Sequence, residues 1–144
     1  MFFKKSPYEK AEQKIKEAQR SGTTVLDLSN MGAKASEKLT ELPESLCQLT
    51  QLQELYVSIN QLSTLPEWLG QLTRLQVLSV GANQLTTLPD SLGQLTELEY
   101  LNLSHNQLKT LPSSLTKLTK LKTLDLDNNP LEPELAAAHK EGLE

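Results

Sequence analysis

The chain is predicted to be an α/β solenoid, a right-handed coil with short parallel strands on its concave face and an N-terminal capping helix. Three observations predict it. Leu52, Leu75, Leu98 and Leu121 stand 23 residues apart, and they open the phrases LQELYVSINQLSTLP, LQVLSVGANQLTTLP, LEYLNLSHNQLKTLP and LKTLDLDNNPLEPEL. Within each phrase Leu or Val alternates with other residues, as a strand with one buried face requires. The composition agrees: 38% of the 144 residues are hydrophobic and only 4% aromatic, below the apolar share of an ordinary globular domain. A coil in which every turn carries its own narrow apolar row needs no large central core.

The elements follow in order along one domain, 1–144. Residues 6–22 read as the cap helix. Ser6 is the N-cap, Pro7 suits the first helical position, and Glu9 completes a capping box. Tyr8, Ala11, Ile15 and Ala18 fall on one face, and Gly22 supplies a left-handed stop. That face is the lid for the open end of the first coil. Repeat one occupies 23–51, with Leu26 and Leu28 inward and Met31 where later repeats have Asn. Residues 33–38 (AKASEK) interrupt it and read as an insertion at the edge of the coil, where lengthening a loop costs little. Repeats two, three and four occupy 52–74, 75–97 and 98–120. Their strands point Leu55/Val57, Leu78/Val80 and Leu101/Leu103 inward. Pro66, Pro89 and Pro112 end the strand side, and the return segments place Leu69/Leu72, Leu92/Leu95 and Leu115/Leu118 inward. A partial fifth repeat spans 121–131, and 132–144 is either a C-terminal cap or a linker.

Several classes of function are disfavoured by composition. A net charge of −4 and a pI near 5.3 argue against a nucleic-acid surface. No stretch approaches the roughly 20 apolar residues that span a membrane, and the N-terminus has no signal-peptide core. Cys47 is the single cysteine, so no internal disulfide forms and a reducing, cytoplasmic setting is expected. G-x-x-x-x-G-K-[ST], G-x-S-x-G and H-E-x-x-H do not occur. No catalytic residue, cofactor or metal site is expected.

The polar column Asn60, Asn83, Asn106, Asn129 looks like a ligand ladder, but a coil turning sharply after each strand leaves backbone groups to be paired. These amides are therefore read as structural. His105 is read as solvent-facing. Cys47 takes the place of Gly70, Gly93 and Thr116 and is read as a small packing residue. On the concave face the outward positions bring Tyr56, Val77 and Tyr100 into a contiguous patch across three coils. Ile59 and Ala82 extend it, and Glu54, Ser79, Asn102 and Asp125 border it. Two tyrosines around an apolar centre with a polar border resemble an interaction hot spot. Trp68 occupies an outward-looking convex position, held elsewhere by Ser45, Ser91 and Ser114. It either anchors a second contact or lies against the neighbouring coil. Lys109, Lys117, Lys120 and Lys122 read as a solvated face.

The L-x-x-L-x-L-x-x-N-x-L core at this period resembles the intracellular leucine-rich repeat class with an LPxxLxxL return. AEQKIKEAQRSGTTVLDLSNMG is similar to the opening helix and first repeat of bacterial, particularly cyanobacterial, Roco proteins. NPLEPELAAAHKEGLE resembles the segment that leads, in those proteins, toward a Ras-like GTPase domain. The resemblance implies a protein-binding, regulatory module. The phosphate loop of that GTPase does not occur up to Glu144, and the insertion 33–38 departs from the family pattern. The expected partner is another protein or a peptide, with no nucleic acid, membrane or small-molecule substrate, and the chain is expected to be a monomer.

Overall fold

The computed structural model describes residues 5–29 and 34–135. Helix α1 spans Pro7–Ser21 and begins as its sequence dictates. The Ser6 hydroxyl accepts the Glu9 N–H at 3.1 Å, and the Glu9 carboxylate accepts the Ser6 N–H at 3.1 Å. Gly22 ends the helix at φ 70°, its N–H donating to the Ala18 carbonyl. Ala11, Ile15 and Ala18 are buried, and Tyr8 is half-buried. The helix packs on β1 and on the first return turn, so it covers the N-terminal end of the coil.

Five strands follow: β1 (Val25–Asp27), β2 (Glu54–Tyr56), β3 (Val77–Ser79), β4 (Tyr100–Asn102) and β5 (Thr123–Asp125). They form one parallel sheet in chain order. Leu26, Leu55, Leu78, Leu101 and Leu124 are in register at the central position. These leucines point inward, away from the outward neighbours on either side. Between strands the chain returns through short 3₁₀ helices, Glu44–Gln48, Glu67–Gln71, Asp90–Gln94 and Ser113–Lys117, each entered from a proline. Proline suits that place because its fixed φ is already extended and a helix start requires no N–H from it. Together the strand and return leucines build a continuous core, with Leu55, Leu72, Leu78, Leu95 and Leu101 fully buried. Each such side chain contributes roughly 1.5–3 kcal/mol of transfer free energy.

The last coil differs from those before it. Leu111, Leu115, Leu121, Leu124 and Leu131 are only partly buried, whereas their counterparts one coil earlier are in the core. Residues 30–33, which include Met31 and the start of the predicted insertion, lie outside the described residues, as do 136–144 from the C-terminal cap or linker. The rest of the insertion forms one 3₁₀ turn, Ala35–Glu37. It delivers Leu39, buried, to the place that Leu62, Leu85 and Leu108 hold in later coils.

The return side carries a correction. Ser45, Ser91 and Ser114 do not look outward, because their hydroxyl oxygens are buried without a hydrogen-bond partner. A β-carbon placed on Gly70 would lie 2.6 Å from the Ser91 carbonyl oxygen, and one on Gly93 would lie 2.6 Å from that of Ser114. The two glycines therefore let successive return turns close onto these serines. Trp68, in the same column, is half-buried and packed against the core. Its counterpart pair one coil back is Cys47 with Trp68 itself, and there the return turns pack less closely. Cys47 is half-buried and forms no disulfide.

Candidate functional site

The asparagine column is explained by the backbone it serves. Asn83 Nδ2 donates to the carbonyls of Val80 and Gly81 in its own coil and to Val57 in the coil before, at 2.9, 3.2 and 3.0 Å. Its Oδ1 accepts the Leu62 N–H at 3.0 Å. Asn60, Asn106 and Asn129 repeat the arrangement, accepting from Leu39, Leu85 and Leu108. Each amide thus reaches backward to finish the preceding coil. Asn60, Asn83 and Asn106 are buried and Asn129 is half-buried. All four amides are thus engaged with backbone groups.

Immediately before each asparagine the backbone enters the left-handed region, at Ile59 (φ 59°), Ala82 (54°), His105 (55°) and Asn128 (60°). Asparagine tolerates this conformation, but a β-branched residue there is a true outlier. Ile59 combines it with 44% exposure of the residue. His105 is exposed, its Nε2 3.2 Å from Asn128 Nδ2.

The outward sheet residues fall into two rows. Val25, Glu54, Val77, Tyr100 and Thr123 form one, and Asp27, Tyr56, Ser79, Asn102 and Asp125 the other. The register follows the 23-residue step of the sequence. Val77 and Tyr100 are direct neighbours, but Tyr56 faces Ser79 in the second row. Tyr56 is therefore diagonal to Val77, and the three form a bent, contiguous patch across three coils. All three are half-buried and share one side of the sheet.

Ser79 is not an open border residue. It is 7% exposed, its hydroxyl lies 2.7 Å from that of Ser58, and it accepts from Asn102 Nδ2 at 3.4 Å. Asn102 Oδ1 in turn accepts the N–H and the hydroxyl of Ser104. The second row is thus tied together by its own polar groups. Asp27 and Asp125 accept the N–H groups of Ser29 and Asp127 through Oδ1, a turn motif common for such side chains.

Glu54 and Tyr56 are a linked pair, with the phenol donating to Glu54 Oε1 at 2.5 Å. That hydrogen bond, then burial, then the charges of Glu54 and Asp27 push the Tyr56 phenol up to about 12, and Tyr100 adds to the shift. A phenol that donates to a carboxylate resists losing its proton. The ring is held in one orientation by this bond. Sequence reasoning missed it, although the i, i+2 spacing that puts both side chains on one face was there to be read.

Among the described residues no group of three or more His, Cys, Asp or Glu gathers to hold a metal ion. No described helix is long and apolar enough to cross a membrane.

Comparison with known proteins gives a consistent result. A family model described as leucine rich repeat matches residues 73–131, and a second, of two leucine rich repeats, matches 50–94. No curated protein sequence matches the chain. A leucine-rich repeat protein of Leptospira interrogans is similar over 72% of this chain and 26% of its own, with 40% identity and a TM-score of 0.68. An internalin of Listeria monocytogenes is similar over 65% of this chain and 27% of its own, with 30% identity and a TM-score of 0.57. The chain spans about a quarter of the length of these two proteins. The coil of in-register leucines, the asparagine column and the two family matches, which together run from residue 50 to 131, make this chain a member of the leucine-rich repeat family.

Proposed function

We propose that the chain is a protein-interaction module, not an enzyme, that holds a peptide or protein on its concave strand face. Tyr56, Val77 and Tyr100 form the centre of the contact, with Glu54, Asn102 and Asp125 at its border and Ile59 at the turn edge. The observation that carries this reading is the contiguous patch of two tyrosines flanking Val77 on a parallel sheet. Tyrosine gives a large contact area at little entropic cost, and the Glu54 hydrogen bond already fixes one ring. Trp68 is half-buried against the core, which favours its lying against the neighbouring coil over a second contact. A monomeric, cytoplasmic module fits the lone thiol of Cys47.

The test is peptide selection. Peptides selected by display against the chain should lose affinity at least about tenfold, the scale of a hot-spot truncation, when Tyr56→Ala and Tyr100→Ala are combined. Trp68→Ala should leave capture intact in folded protein. Selected peptides indifferent to both tyrosines would overturn the proposal.

A second reading rests on the resemblance of the two ends to Roco proteins. There the coil is the regulatory portion of a larger GTPase and is inactive alone. Reading the gene beyond the codon for Glu144 tests it: a GTPase phosphate loop supports this reading, and a stop codon sinks it.

A further inference from the structure

The outward strand positions carry three carboxylates, Asp27, Glu54 and Asp125, and no lysine or arginine. The whole chain has 18 acidic against 14 basic residues. No basic side chain at the outward strand positions offsets these three acids, so those positions are net negative. The nearby cations are committed elsewhere. Lys14 Nζ donates to the Asp27 carbonyl at the β1 edge, 3.2 Å away, while Lys120 and Lys122 pair with Glu97 and Glu99. Among the described residues, none of the three carboxylates is paired with a cation.

The spacing of the acids narrows what could answer them. Glu54 and Asp125 stand three strands and one row apart, about 16 Å on the diagonal at ordinary strand spacing and rise. That is too far for one metal ion to bridge. Val77 and Tyr100 lie between them. An extended chain covers about 13 Å from residue i to i+4, with i, i+2 and i+4 on the same side. Long basic side chains at i and i+4 make up the difference, and an apolar side chain at i+2 lands on Val77 and Tyr100. A cation beside Tyr100 also gains from the face of the ring.

We infer that the face takes an extended segment of the form basic–x–apolar–x–basic, its two cations on Glu54 and Asp125 and its apolar residue on the Val77/Tyr100 centre. This rests on the proposed concave-face contact and specifies its partner. Charge of this kind sets specificity and salt dependence more than raw affinity.

The probe is a fluorescein-labelled heptapeptide, Gly-Arg-Ser-Leu-Ser-Arg-Gly, titrated by anisotropy into the full chain at about 50 and about 300 mM salt. Controls replace both Arg with Gln, or move the two Arg side by side. The expected result is saturable binding of the spaced peptide, weakened severalfold at the higher salt, and at least about fivefold weaker binding of both controls. Glu54→Gln combined with Asp125→Asn keeps the hydrogen-bond acceptors toward Tyr56 and Asp127, so the fold is retained; it should also cost about fivefold. Tyr100→Ala should abolish binding. Equal binding of the Gln peptide, with Tyr100→Ala still abolishing it, overturns the cationic partner and leaves the concave-face contact standing. Binding indifferent to Tyr100→Ala overturns both. Absence of binding by the spaced peptide up to millimolar concentration overturns the inference.

Discussion

Replacing Asn83 with Ala separates a structural amide from a ligand-binding one. Of the four hydrogen bonds the side chain makes, three go to carbonyls that keep another donor. Val57 retains Asn60 Nδ2, Val80 retains Asn106 Nδ2, and Gly81 retains the Ile59 N–H. Only the Leu62 N–H is orphaned, because its acceptor is Asn83 Oδ1. A buried donor left unpaired costs about 1–3 kcal/mol. Losing the three weaker bonds and leaving a small void bring the expected loss to about 2–4 kcal/mol. The same change at Asn129 orphans the N–H of the buried Leu108, but Asn129 is itself half-buried and its truncation opens that donor to water, so about 1 kcal/mol is expected. Urea unfolding followed by circular dichroism gives both values from the shift in midpoint at constant slope. Equal losses at the two sites, or a loss at Asn83 well under 1 kcal/mol, would refute the assignment of the column to backbone pairing.

Three further outcomes follow from the same geometry. Gly70→Ala forces a β-carbon against the Ser91 backbone and should cost about 1–3 kcal/mol. Gly22→Ala meets open space and should cost only the roughly 1 kcal/mol of its left-handed φ, so a thermal melt should rank Gly70→Ala as the more damaging. Leu101→Ala should destabilise by about 2–5 kcal/mol, and Leu124→Ala, in the half-buried last coil, by clearly less in the same melts; similar losses would mean the end of the coil is better covered than the described residues indicate. Absorbance titration of a chain carrying Tyr8→Phe and Tyr100→Phe should find the Tyr56 phenol ionising near pH 12, and Glu54→Gln should move it down toward its ordinary value of 10.0. Because the folded value is the higher one, the stabilising effect is complete below pH 10 and fades as pH rises through about 12. A phenol titrating at its ordinary value in the unaltered pair would remove the fixed ring from the account.

The strand side of the coil was legible because phase alone determines it. A 23-residue repeat of Leu with a period-2 strand puts Leu55, Leu78 and Leu101 inward and the tyrosines outward, whatever the neighbours do. The capping box of α1 was legible for a similar reason, since Ser6, Pro7 and Glu9 act within one turn. The return side was not, because the direction of Ser91 and Ser114 depends on how closely adjacent turns approach. Gly70 and Gly93 set that distance. A glycine two positions beyond the serine column was the available signal. The sheet register was legible for the same reason as the strand side, since a step of 23 residues takes Tyr56 to Ser79 and Val77 to Tyr100, the partners found in the sheet. Ser79 was misplaced as a border residue because its hydroxyl is engaged by Ser58, just past β2, and by Asn102 on β4.

The backward reach of each asparagine gives assembly of the coil a direction. A turn such as the one carrying Leu62 N–H is finished by Asn83, which is synthesised 21 residues later. During translation the most recently emerged coil is therefore always the one with an unmet donor, and each new coil seals its predecessor while opening a need of its own. Folding that advances vectorially from the α1 end meets every demand in the order the ribosome supplies the answer.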